Sequence, residues 1–449
     1  MSDLPVEPRE LLLALFQTAV AAADPGVVLP GFLASSLDGK IGKGLGGSVV
    51  VIGAGKAAAS MAATLEKHWG DGELSGLVVT AYGHGVPCKY IEVIEAAHPV
   101  PDNNSEIAAQ RILKVVSGLN ENDLVICLLS GGGSSLLALP APGITLSDKQ
   151  QINKALLASG ADIGEINCVR KHLSAIKGGR LAAACSPAKV MTFAISDVAG
   201  DDPTVIASGP TVADPTTRQQ ALAVLNKYQI DMCYAVKQWL ESPVSETPKP
   251  EIPKPETPNL ASTLFEQGAF QIIAAAKQSL QAAAKQAEKM GLTPLVLGDD
   301  LTGESRELAK AHAELVRSIV EHSALDKGQP VSAPCVILSG GETTVKVRGN
   351  GRGGRNTEYL LSLAAELKGE AGVYALAADT DGIDGSGDNA GAILSPDSWQ
   401  RAQELNLNIT DSLENNDSYG YFEALGDLII TGPTQTNVND FRAILVLPL

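Results

Sequence analysis

Positive charge is scarce in this chain. Its 449 residues hold 34 Lys and Arg against 51 Asp and Glu, a net charge of −17. Bulk electrostatics therefore exclude tight holding of nucleic acid or of an anionic membrane surface. An anionic small molecule stays admissible, but only where Lys and Arg are locally concentrated. Cysteine is equally sparse. The six, at 88, 127, 168, 185, 233 and 335, form no CxxC or CxxxxH spacing, so neither a zinc site nor a disulfide framework is expected. Long apolar runs are missing too. Leu11–Ala23 is too short to span a bilayer and is broken by Gln17 and Thr18. The polar start MSDLPVEPRE lacks the features of a signal peptide. These absences predict a cytoplasmic protein without a membrane or nucleic-acid partner.

Apolar residues and glycine are abundant, at 45% and 45 residues, enough for large cores with many tight turns. Short apolar runs at Ser48–Ile52, Gly76–Thr80, Ile91–Glu95, Leu124–Leu129 and Val190–Ile195 predict buried strands. Helical spacing lies between them, as at Lys56–Trp69, Glu106–Val116 and Ile163–Ala184. This alternation predicts parallel βαβ units, an α/β fold. Six prolines between Pro243 and Pro258 interrupt it. Residues 242–259 are therefore expected as a linker between a first domain, 1–241, and a second, 260–449. The second resumes with strands at Gln271–Ala275, Pro294–Leu297, Val336–Leu338 and Ala443–Leu447 and helices at Ala276–Met290 and Ser305–His322. Two α/β domains place the default ligand site in the cleft between them.

Six segments carry candidate chemistry. VVVIGAGKAA leads from a strand through Gly53 and Gly55 to Lys56 at a helix start, an arrangement that attracts anions. It is neither a Walker A loop nor a complete GxGxxG, and a plain βα turn gives the same string. LVICLLSGGGSSLL repeats the pattern with Ser130, Gly131, Gly132, Gly133, Ser134 and Ser135 as a second phosphate loop. A nucleophilic serine is the rival there, although GxSxG is absent. VRKHLSAIKGGRL concentrates Arg170, Lys171, His172, Lys177 and Arg180, either to bind an anion or as a solvated basic face. In ISDVAGDDPTVIASGPT, Asp197 stands at a strand tip where a carboxylate could hold Mg²⁺ or accept a hydroxyl proton. Asp201 and Asp202 read as turn residues. SGGETTVKVRGNGRGGRN brings Lys346, Arg348, Arg352 and Arg355 to a glycine-rich loop before a helix near Asn356. A guanidinium there matches two phosphate oxygens at once. ALAADTDGIDG sets Asp379, Asp381 and Asp384 on glycine turns, a Mg²⁺ site or a plain turn.

Together with AAHPVPD and TGPTQTNVND, these strings resemble the class II glycerate kinases. These are the glycerate 2-kinases of the MOFRL type, formerly named hydroxypyruvate reductases. The resemblance runs from about residue 8 to 447. It implies a Rossmann-like N-terminal domain, a smaller C-terminal α/β domain and an active site in the interdomain cleft. It implies ATP and Mg²⁺ as cofactors, and glycerate as the substrate phosphorylated at its 2-hydroxyl. Assembly as a homo-oligomer stays open. Lys56 and Arg355 match the family's lysine and arginine, and Asp197 and Asp381 its acidic cleft residues. Asp197 is then the expected proton acceptor, Asp381 with Asp379 the metal contacts, and Arg170 or Lys171 the partner of the glycerate carboxylate. Gln435 departs from the pattern, standing where glycine is expected. An NAD(P)H-dependent hydroxypyruvate reductase is the alternative, with GAGKAA as its support and Asp71 or Glu73 as a ribose-binding acid.

Overall fold

The computed structural model describes residues 7–37, 46–70, 73–242, 270–321, 325–326 and 329–448. The chain divides into two compact units, one of residues 25–273 and one of residues 1–24 with 274–449. This differs from the expected division at both ends. The N-terminal helix goes with the C-terminal half, and the strand Phe270–Ala275 goes with the first sheet. The expected linker, 242–259, lies outside the described residues apart from Ser242.

The unit of residues 25–273 is built on six strands: β1 Val49–Ala54, β2 Leu74–Ala81, β3 Ile91–Ala96, β4 Leu124–Leu129, β5 Lys189–Ser196 and β6 Phe270–Ala275. Their order is β3-β2-β1-β4-β5-β6, and β1 to β5 pair in parallel. β1 and β4 are apolar and buried along their whole length, as central parallel strands covered on both faces must be. β3 carries Glu92 and Glu95, and only its ends are buried. In this order the chain changes direction between β1 and β4. Open α/β sheets bind ligands at such a switch point, beyond the carboxyl ends of the strands. Both predicted glycine loops stand there.

The second unit holds a mixed sheet rather than a repeat of the first. Val373–Asp379 runs antiparallel to Asp440–Val446, which runs antiparallel to Cys335–Ser339, and this last strand pairs in parallel with Thr293–Gly298. Alternation along these strands feeds two cores. Ala375, Ala377 and Ile444 face a cluster with helices Ser305–Val320 and Arg355–Leu367. Leu376, Ala378 and Ala443 face Leu11, Leu15 and Phe16 of helix Pro8–Ala21. The run from Pro8 to Ser36 has the length and apolarity of a membrane span. Its first helix is nevertheless accounted for, because its buried face completes this core.

The expected helix Ile163–Ala184 is two helices, Ile163–His172 and Arg180–Cys185. Between them Gly178 and Gly179 take φ of +59° and +79°, which a helix interior excludes. Gln435, the departure from glycine, has φ +66°. A side chain in that region costs roughly 1 kcal/mol. Gln435→Gly is therefore expected to stabilise the protein by about 1 kcal/mol. The urea midpoint measures it, and a lower midpoint would show that contacts of the Gln side chain outweigh the backbone relief.

Candidate active site

The two glycine loops at the switch point are bound to each other. The Lys56 amide donates to the Gly131 carbonyl at 2.8 Å, and the Ala57 amide to Ser130 Oγ at 2.9 Å. The Gly55 amide donates to the Val79 carbonyl at 3.1 Å. A Cβ on Gly53 would lie 2.4 Å from the Leu128 carbonyl oxygen, and one on Gly55 2.1 Å from Ser130 Oγ. Gly53, Gly55 and Ser130, expected at the phosphates, are thus occupied in joining β1 to β4. The glycines are there for close approach of two backbones, and the amides of this turn are consumed internally.

The second loop behaves differently. Among the described residues the amides of Gly131 and Gly132 meet no acceptor, although Gly131 is buried. Buried backbone donors are nearly always paired, so this pair is open toward an anion. Gly133 packs tightly, with its amide donating to the Ser130 carbonyl at 3.1 Å. Ser134 Oγ lies 2.8 Å from Ser208 Oγ, and Ser135 Oγ donates to the Gly132 carbonyl at 3.0 Å. Ser208 sits in a left-handed stretch, Ala207 φ +50°, Ser208 φ +61° and Gly209 φ +57°. Such strain persists where surrounding structure imposes it, often beside a functional site. Lys56 runs alongside: a Cβ on Gly132 would lie 3.5 Å from Lys56 Cγ and 2.9 Å from the His98 ring. Asp197 follows the end of β5, the strand next to β4, and is partly exposed at the same sheet edge. Asp202 Oδ1 accepts the Thr204 amide at 2.8 Å, which is the turn role expected for it.

A cavity of about 490 Å³ opens beside this loop. Gly132, Ser134, Ser135 and His98 line it, together with Lys149, Arg170 and Lys177 and an apolar wall that includes Ile152, Leu156 and Leu173. AAHPVPD, SGGGSS and the basic segment, far apart in sequence, thus meet in one place. The basic segment is not a solvated face. Lys171 is buried and lies 3.5 Å from Asp214, as does the His172 ring. Lys177 Nζ donates to the carbonyls of Ser134 and Leu137 at 2.6 and 3.0 Å, and burial pushes its pKa well down. Arg180 Nη1 donates to the carbonyls of Lys171 and Lys177. Of the two candidates for the substrate acid, Arg170 lines the cavity, whereas Lys171 is committed to Asp214. The wall residues Lys149 and His98 were not singled out from sequence. Lys149 lies in a helix, Leu146–Ser159, that carries no glycine motif to mark it.

The second unit gathers its own polar cluster where Val373–Asp379 ends and Asp440–Val446 begins. Arg355, first residue of helix Arg355–Leu367, pairs through Nε with Asp440 at 2.7 Å, through Nη2 with Asp379 at 2.8 Å and through Nη1 with Glu342. These carboxylates hold its pKa well above the usual value against the opposing effect of burial. The helix amides beside it are taken. Asp384, buried, accepts from the Asn356 amide at 3.0 Å and the Thr357 amide at 2.9 Å. With the Asn356 and Thr357 amides taken, an anion at this helix start engages Arg355 by displacing the exposed Glu342 from Nη1. Burial raises the pKa of Asp384. Arg352 lies exposed over the Tyr419 ring, 3.9 Å from its centre. Its loop is anchored by the Arg348 and Gly349 amides on Asn416 Oδ1. Asp379 Oδ1 accepts the Asp381 amide at 3.1 Å, and Asp381 Oδ1 the Ile383 amide at 2.8 Å.

The dinucleotide alternative fares poorly in this geometry. An acid binding a ribose belongs at the carboxyl end of β2. That end reads Thr80-Ala81-Tyr82, while Glu73 precedes β2 at the opposite edge and Asp71 lies outside the described residues.

Comparison with known proteins agrees with the architecture. Residues 11–241 match DUF4147, a domain of unknown function, and residues 335–440 match the MOFRL family. A D-glycerate 2-kinase of Thermotoga maritima is 41% identical over 400 residues, covering 89% of this chain and 91% of its own. An Agrobacterium vitis protein provisionally named hydroxypyruvate reductase is 50% identical over 443 residues, covering 98% of this chain and 95% of its own. The crystal structure of a Thermotoga maritima glycerate kinase superposes with a TM-score of 0.82 at 38% identity, covering 98% of this chain and 99% of that one. The chain therefore belongs to the glycerate kinase family, in which a DUF4147 domain is joined to a MOFRL domain.

Proposed function

We propose that this protein transfers the γ-phosphoryl group of ATP to the 2-hydroxyl of D-glycerate, giving 2-phosphoglycerate and ADP. One observation carries the reading: the loop at the switch point offers two open glycine amides beside Lys56, in a chain 41% identical to a D-glycerate 2-kinase. Phosphoryl transfer asks mainly for positioning and neutralisation of charge. The Gly131 and Gly132 amides receive phosphate oxygens, with Ser134 and Ser135 beside them in the loop. Lys56 neutralises the transferring group. Asp197 accepts the proton of the attacking hydroxyl as the new P–O bond forms and the bond to the ADP oxygen breaks. Arg355 supplies a second positive charge, and Arg352 stands near it in the same unit's loop. The compartment is the cytoplasm.

Mg²⁺ fits the donors present but not as a resident of a protein cage. Among the described residues no group of three His, Cys, Asp or Glu side chains is gathered for a metal ion. This suits a cation that keeps waters and arrives on phosphate oxygens, needing one or two carboxylates from the chain. Asp381 and Asp379, at the end of strand Val373–Asp379, are the residues that would hold it. The ion would spread the negative charge of the triphosphate.

The test is ADP release measured with and without D-glycerate and Mg²⁺, followed by phosphorus NMR of the product. Release requiring both, with the phosphate on carbon 2, is the expected outcome. NADH oxidation on addition of hydroxypyruvate, without ADP release, would replace this reading by the reductase.

A further inference from the structure

Lys149 poses a physical problem. Its chain is half-buried, yet its Nζ is wholly enclosed and has no hydrogen-bond partner among the described residues. Burying an amine without a partner is costly. Its charged surroundings make matters worse. Arg170 approaches from helix Ile163–His172, Arg180 from helix Arg180–Cys185 and Lys177 from the turn between them, and all repel it. Among the described residues only Glu106, from helix Asn103–Val115, attracts. His98 and Lys154 are the remaining titratable residues of the cavity wall. Burial and these cations bring the pKa of Lys149 down to about 7.

Arg170 shows the complementary feature. Its Nε donates to Asn153 Oδ1 at 2.6 Å, which fixes the plane of the guanidinium. Neither terminal nitrogen has a partner among the described residues, and the side chain lines the cavity. A fixed fork with two open donors beside a lone amine is the arrangement that receives a carboxylate. A nucleotide phosphate already has the open amides of Gly131 and Gly132, of which Gly132 lines the same cavity. A short hydroxy acid whose carboxylate sits at Arg170 would keep its hydroxyl within the cavity that this loop borders.

We propose that Lys149 and Arg170 together bind the carboxylate of the acceptor hydroxy acid inside this cavity, making Lys149 a specificity-determining residue. The inference rests on the glycerate kinase reading given above. It also has a consequence in pH. A bound carboxylate favours the ammonium form, so the empty site takes up a proton on binding acid above pH 7. Apparent affinity for the acid then falls as pH rises through that value, by up to about tenfold per unit. The nucleotide does not share this dependence.

Steady-state kinetics on the full chain test it, with glycerate and MgATP varied separately. Lys149→Met is expected to raise the KM for glycerate about 10- to 100-fold and to leave the KM for ATP within about twofold. In the unliganded protein the same change removes an unpaired buried amine, so Tm should rise. In the wild type the glycerate KM should climb between pH 7 and 8.5, and Lys149→Arg, charged throughout, should flatten that climb. An unchanged glycerate KM in Lys149→Met, or an equal rise for ATP, would overturn the assignment while leaving the kinase reading intact. Should Lys149→Met not fold, the wild-type and Lys149→Arg pH profiles decide alone, and a flat wild-type profile would overturn it. Absence of glycerate-dependent ADP release in the wild type would instead sink the kinase reading itself.

Discussion

Lys56→Ala should lower kcat for phosphoryl transfer by on the order of 10²-fold or more, with the protein still folded. The reason lies in which parts of Lys56 hold the loop together. Its amide donates to the Gly131 carbonyl, and its carbonyl accepts from Thr80 Oγ1 at 3.2 Å. Alanine keeps both bonds. What it loses is the cationic chain running beside Gly132 and His98. The loop should therefore survive and still bind nucleotide, while the charge that develops on the transferring group goes uncompensated. Single-turnover rates alongside thermal melting separate the two effects. A variant with near-normal turnover and normal Tm would remove Lys56 from the chemistry.

Arg355→Lys is the second large effect, an expected loss of roughly 10²-fold in kcat. All three guanidinium nitrogens engage carboxylates, and those partners are not equivalent. Asp440 and Asp379 are buried, with side-chain exposures of 0% and 7%, and they orient the group. Glu342 is 57% exposed, so a phosphate oxygen displaces it from Nη1 at little cost. An ammonium replaces one point of that fork at most. Arg355→Ala would be a poor substitute for this experiment. It would leave two buried carboxylates short of a cation, a loss of about 3–5 kcal/mol that confuses folding with catalysis. Full activity of the lysine variant would show that no bidentate contact is used.

Apolar runs and glycine turns were sufficient to place most elements. Leu124–Leu129 is a strand at both ends as expected, and Ile91–Glu95 and Val190–Ile195 differ by a residue or so. Leu124–Leu129 is buried along its whole length, so every residue in it signals the same environment. Helix Leu146–Ser159 gave no comparable signal, since only Ile152 and Leu156 are buried in it. The single helix expected over Ile163–Ala184 passes over a break between His172 and Arg180 that Gly178 and Gly179 mark. There the apolar spacing on either side masks the two glycines that precede the second helix, whose N-cap is Gly179.

The site is legible in the sequence only in part, for a related reason. Residue types that attract anions were visible in GAGKAA, SGGGSS and VRKHLSAIKGGR, but attraction is not availability. Asp214 neutralises Lys171, two carbonyls hold Lys177, and Asp384 fills the helix start beside Arg355. None of these partners is a near neighbour in sequence.

By itself the sequence determined the α/β class, the family and the kind of ligand: an acidic chain with cations gathered at glycine turns handles an anion. Only the tertiary structure decided which turn keeps its amides open, which cations stay unpaired and where the chain divides into units. A donor or a charge is spent or left over according to what strand order and burial bring against it. In this protein the Ser130 hydroxyl, 73 residues from Ala57, closes one turn, and the same loop leaves the next two amides open.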